Sequence, residues 1–149
     1  MKIQIYIMIT FEQQLDLVLL EETEPDFKSA VAIVQMRDRW LLGLSKNEDD
    51  RKSKWCHVGG RIKPGESPKK AAERECFEET GIRCRAVGVP FRDQAHKGVA
   101  FVHCKVTSIN QKLDPNEEFS AIGFFTIAEL RTLKPLYKNV RKLIDRAER

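Results

Sequence analysis

The tightest constraint in this chain is one helix that carries both of its own end signals. Ser67 is a good N-cap, Pro68 suits the first helical position, and Gly81 stands where a helix C-terminus expects it. Short β-rich runs flank that helix on both sides. Ala30 to Gln35 and Trp40 to Leu44 read as a hairpin, with Arg37, Asp38 and Arg39 as its turn. Trp55 to Val58 reads as a short strand broken by Gly59 and Gly60, after which Pro64, Gly65 and Glu66 lead into the helix. Beyond it, Ala86 to Phe91 and Val99 to Val106 read as strands joined by a polar turn with His96, Lys97 and Gly98. Ile122 to Phe125 is a further strand, and Thr126 with Glu129 forms a capping box for a short helix. Leu136, Val140, Leu143, Ile144 and Ala147 then recur at helical spacing, with Pro135 starting the helix. Strands and helices mixed in this way predict an α/β fold in which helices cover a mixed sheet.

Ahead of the hairpin, Ile3, Ile5, Ile7, Ile9 and Phe11 alternate with Gln4, Tyr6, Met8 and Thr10, which is the period of a strand. Phe11, Leu15, Val18 and Leu19 then fit a helix stripe, while Leu15 to Leu20 equally fit a second hairpin strand. Glu21 to Asp26 reads as a polar linker. Gln4 interrupts the apolar run and no small-residue cleavage site follows, so a signal peptide is the weaker reading. Residues 1–28 are expected to form an N-terminal extension to a domain at 29–149. A bare apolar strand edge needs cover, so the extension should lengthen the sheet or join a homodimer interface.

The chain has 149 residues, enough for one domain with one core, and no run approaches the ~18 apolar residues of a membrane helix. Its four cysteines, Cys56, Cys76, Cys84 and Cys104, form no C-x-x-C pair, which fits reduced thiols in the cytoplasm. His57, His96 and His103 lie near three of them, but no zinc-ligand spacing results. A net charge of +4 is too small to assign nucleic-acid binding by itself. The basic groups Arg51, Lys52 and Lys54, and Lys134, Lys138, Arg141, Lys142 and Arg146, are solvated faces or attract anionic substrates.

On a wheel of roughly 100° per residue, Glu78, Ala71, Glu75, Glu79 and Ala72 fall in that order on one side of the helix. Three carboxylates thus share a face with two small residues. Glu75 meets Glu78 and Glu79 at i+3 and i+4, and each such like-charge pair costs ~0.2–0.5 kcal/mol. All three lie near the helix C-terminus, where the dipole disfavours anions. Arg74 can neutralise Glu78 at i+4 but cannot serve all three. A cation between the carboxylates resolves the conflict, and hard oxygen ligands suit Mg²⁺ or Mn²⁺.

Gly60, Glu66, Arg74, Glu75, Glu78, Glu79, Gly81 and Ile82 stand in the spacing G-x5-E-x7-R-E-C-F-E-E-T-G-I. This resembles the signature box of the Nudix hydrolases, G-x5-E-x7-R-E-U-x-E-E-x-G-U with U aliphatic. Cys76 takes the first U, where it packs as a small hydrophobe, and Val58 stands where many relatives have proline. The resemblance implies an α/β/α sandwich and hydrolysis of a nucleoside diphosphate linked to another moiety: a nucleotide sugar, a dinucleoside polyphosphate or a nucleoside triphosphate. It implies that Glu75, Glu78, Glu79 and the carbonyl of Gly59 hold divalent cations, that Arg74 orients the glutamates, and that Glu66 fixes the loop. The general base is Glu75 or Glu79, or comes from outside the box, where Glu117 and Glu118 are candidates. Lys46 and Arg61 are candidates for phosphate contacts, and Phe91 and Phe101 for base stacking. A non-catalytic nucleotide sensor of the same fold, and action on the 5′ end of RNA, are the competing readings; all the box acids remain, which favours the enzyme.

Overall fold

A computed structural model describes residues 27–46, 53–108, 113 and 116–149. The readings for Met1 to Asp26, and most of the charged stretch from Lys46 to Lys54, fall outside the described residues.

Strand β1 (Ser29–Met36) organises the rest. Alternation sends Ala30, Ala32 and Val34 into one core and Val31 and Ile33 toward another, so the strand is apolar on both faces. β2 (Arg39–Ser45) returns antiparallel through a turn in which Arg37 has φ 57°. One edge of β1 pairs in parallel along Ser29 to Gln35 with β7 (His96–Val106). Its other edge is divided. Gln35 and Met36 pair with β2, while Ser29 to Ala32 pair with β4 (Val58–Arg61). β3 (Trp55–Cys56) and β8 (Phe119–Thr126) flank β2. β5 (Cys84–Ala86) and β6 (Phe91–Asp93) both pair with β7. The sheet is therefore mixed.

Helix α1 (Pro68–Thr80) begins as its cap signals require: Ser67 Oγ accepts from Lys70 N, and Gly81 takes φ 76° at the other end. It buries Ala71, Ala72, Cys76 and Thr80 against the Ala30 face of the sheet. The opposite face is covered by α2 (Ile127–Leu130), with its Thr126–Glu129 capping box, and by α3 (Val140–Ala147), which buries Val140, Leu143 and Ile144. The result is an α/β/α sandwich. Among the described residues, no helix is long and apolar enough to cross a membrane.

Four local expectations change. Gly59 and Gly60 do not break a strand; they lie inside β4, in register with Val31 and Ala30. A Cβ on Gly59 would meet Ala30 O at 2.5 Å, so the pairing needs a residue with no side chain. The run from Ala86 to Phe91 is two strands, interrupted at Val87 to Pro90. His96, Lys97 and Gly98 belong to β7, and the turn sits at Gln94 and Ala95. Pro135 does not start the last helix. Trp55 N donates to Pro135 O and Tyr137 N to Trp55 O, which pins that segment beside β3 and delays α3 to Val140.

Packing at the centre of β2 is close. A Cβ on Gly43 would fall 2.5 Å from the ring of buried Phe119. Gly43→Ala is expected to destabilise the fold by ~1–3 kcal/mol, the usual cost of overpacking a filled core. Chemical denaturation of the variant measures this; an unchanged midpoint would contradict the packing described.

Candidate active site

The last two turns of α1 face β4, and the contact is built on the two glycines. Gly60 lies against the carboxylate of Glu75: a Cβ there would stand 2.4 Å from Glu75 Cδ. Gly59 N donates to Glu79 Oε2 at 3.3 Å. Glu75 and Glu79 are one helical turn apart on the same face, so their carboxyl groups meet. Burial and the Glu75 charge push the Glu79 carboxyl up to about 8, against the opposing pull of the Gly59 N–H, and Glu118 adds to the rise from across the site. Burial and the same Glu79 charge raise the half-buried Cys56 thiol to about 11.

Arg74 holds this cluster from the side. Its Nε and Nη2 donate to the two oxygens of Glu66 at 2.8 and 2.9 Å. Its Nη1 donates to Glu75 Oε1 at 2.9 Å and to Glu78 Oε2 at 3.0 Å, and its Nη2 also reaches Arg61 O at 2.9 Å. The two Arg74 bonds to Glu66, with one from Lys63 N, hold the Glu66 carboxyl down at about 2. Glu66 therefore stays charged and ties the loop before α1 to Arg74. Glu78 has its side chain half exposed and shares Arg74 Nη1 with Glu75. Among the described residues no three acidic, histidine or cysteine side chains converge into a finished ligand set.

The other candidates fall at different distances from this centre. Glu118 is exposed, and its backbone is fixed by Lys46 N, which donates to Glu118 O at 2.9 Å. Glu117 is exposed as well. Lys46 has an exposed side chain at the end of β2. Arg61 is exposed, and alternation along β4 places it on the sheet face of Val31, opposite Gly60 and Glu75.

On that opposite face lies a cavity of about 210 Å³, walled in part by Val31, Cys56, His57, Phe101, Tyr137 and Asn139. Cys56 belongs to both regions, lining the cavity while feeling the Glu79 charge. Burial lowers His57 to about 4, so the ring is neutral; its Nε2 lies 3.4 Å from Val140 O, and its Nδ1 is buried without a partner. Of the two aromatic candidates, Phe101 lines the cavity and Phe91 stacks behind it at 5.7 Å. Sequence reasoning weighed His57 only for a zinc spacing and did not reach Tyr137 or Asn139. A polar residue inside the Trp55–Val58 run was the one available signal.

A model of the family described as NUDIX domain matches residues 26–147 of this chain. The chain belongs to the Nudix hydrolase family. A Caenorhabditis elegans protein named for the nudix hydrolases is 30% identical over 111 residues, which is 70% of this chain and 30% of that relative, so the match spans under a third of the relative's length. A Nudix-family hydrolase from Clostridium perfringens superposes with a TM-score of 0.66 at 17% identity, over 83% of this chain and 95% of that one. An ADP-ribose pyrophosphatase from Streptococcus suis superposes with a TM-score of 0.61 at 25% identity, over 80% of this chain and 88% of that one. Of the acidic side chains on α1, Glu75 and Glu79 are the ones that reach Gly60 and Gly59, and both present oxygen atoms.

The raised Glu79 pKa has a consequence for stability. Its value moves from 4.5 to about 8 on folding, so the folded state holds a proton that the unfolded state has lost. That contribution is fully present below about pH 4.5 and is lost as pH rises through about 8. In chelated buffer, the melting temperature of the native chain should fall relative to Glu79→Gln between about pH 5 and pH 8. Parallel melting curves for the two proteins across that range would contradict the assignment.

Proposed function

We propose that this chain hydrolyses a phosphoanhydride bond in a nucleoside diphosphate linked to another moiety, with a divalent cation as cofactor. The observation that carries the proposal is the Glu75–Glu79 pair, buried together against a backbone of two glycines. A fold has little reason to press two carboxyls together unless something positive joins them. Glu75, Glu78, Glu79 and the carbonyl of Gly59 are the groups that would hold Mg²⁺ or Mn²⁺, both of which take oxygen donors. Once bound, such an ion screens the phosphate oxygens and acidifies a water.

The chain's own groups supply the rest. Glu118, or a box glutamate, takes the proton of the attacking water. Arg74 keeps Glu75 in place. Lys46 is the candidate for the phosphates; Arg61, on the cavity face of β4, would have to reach them from the opposite side of the strand. The cavity beside Phe101 and Tyr137 seats the ring of the nucleoside, and Cys56 marks the wall it shares with the acid pair. The likeness to an ADP-ribose pyrophosphatase supports a substrate in which the diphosphate joins two groups. We place the catalytic unit at residues 29–149, with 1–28 as an extension that pairs with the sheet or with a second copy, and assign the protein to the cytoplasm on its unpaired thiols.

Glu79→Gln tests the proposal, because it keeps the shape of the side chain and removes its charge. On a panel of nucleoside diphosphate derivatives with Mg²⁺, turnover should fall at least ~10²-fold, about 2.7 kcal/mol of transition-state stabilisation. Stability without metal should stay level or rise, since a like-charge contact is relieved. Stabilisation by added Mg²⁺ should shrink. Full activity in the variant, inactivity explained by unfolding, or native activity that survives exhaustive chelation would each refute the assignment.

A further inference from the structure

Asn116 joins the acidic loop to the catalytic helix. Its Nδ2 donates to the backbone carbonyl of Glu79 across a separation of 37 residues. Its Oδ1 accepts from Glu118 N at 2.8 Å and from Phe119 N at 3.0 Å. Its own N–H donates to Phe119 O at 2.9 Å. The orientation of the amide follows from its partners: a carbonyl only accepts and an N–H only donates, so nitrogen must face Glu79 and oxygen must face the loop. The Glu79 carbonyl belongs to the last turn of α1, where helix carbonyls lack helical partners. Asn116 satisfies it from outside.

We infer that Asn116 is a positioning residue, which sets Glu118 against Glu79 for the reaction proposed above; the inference rests on that reading. Glu118 has both of its backbone groups held, its N–H by Asn116 and its carbonyl by Lys46 N, and the next residue, Phe119, is buried in the core. The side chain of Glu118 is exposed, yet its charge reaches Glu79. The Asn116 side chain is the link that ties this placement to α1 itself. The amide carries its donor and its acceptor on two separate atoms, so Nδ2 can face the helix carbonyl while Oδ1 faces the two loop N–H groups. Aspartate in its place would keep the two accepted bonds, lose the donated one, and bring an anion to the negative end of the helix.

A double-mutant cycle with Glu118 separates positioning from general support. Asn116→Ala and Asn116→Asp should each lower kcat at least ~10-fold with KM nearly unchanged, the signature of lost transition-state stabilisation. Glu118→Gln alone should do likewise. In the Glu118→Gln background, Asn116→Ala should cost less than ~3-fold more, because the group it positions is already disabled. Thermal melts of all variants identify any loss due to unfolding, and amide exchange at Glu118 and Phe119 reports the released loop. Losses that multiply in the double variant, or a native kcat in Asn116→Ala, overturn the inference while the hydrolase reading stands. A native chain inactive on the whole substrate panel with Mg²⁺ and Mn²⁺ overturns both.

Discussion

The structure turns on two carboxyl groups held closer than their charges favour. Glu75 and Glu79 meet on the inner face of α1, and burial with mutual repulsion lifts Glu79 toward neutral pH. Several features exist to permit that contact. Gly60 gives Glu75 a place that any side chain would fill, and Gly59 offers its N–H to Glu79. Ala71 and Ala72 are small enough for the helix to lie close to the sheet. Arg74 neutralises part of the cluster from the flank, through a bidentate bond to Glu66 that fixes its own position.

The divided edge of β1 places that contact. Because β4 takes Ser29 to Ala32 and β2 takes only Gln35 and Met36, the glycines of β4 lie beside the middle of the sheet, facing α1. The same division leaves the opposite face of β1 open between Val31 and α3, and there the cavity forms. Acid cluster and cavity thus lie on either side of one thin layer, with Cys56 at the boundary.

What the sequence reveals divides by range. Helix ends depend on neighbouring residues, and Ser67, Pro68, Gly81 and the Thr126–Glu129 pair can be read without any tertiary information. The acid face of α1 can be read for the same reason, since helical periodicity alone brings Glu75 beside Glu79. Gly59 and Gly60 mislead because glycine ordinarily interrupts strands; here close approach of β1 and Glu75 overrides that preference. Pro135 misleads because pairing with Trp55 holds the chain extended where local signals favour a helix start. Asn116 cannot be picked out at all: its partner Glu79 is 37 residues away and nothing local marks it. His57 shows only as a polar residue in an apolar run, and its partner Val140 is 83 residues away.

Titration of the Glu79 carboxyl in the metal-free protein, by carbon NMR with labelled glutamate and with Glu79→Gln to assign the signal, tests the central claim most directly. The account predicts a midpoint near about 8 that moves sharply downward when Mg²⁺ is added. A midpoint close to the ordinary carboxyl value of 4.5, unmoved by Mg²⁺, would contradict it.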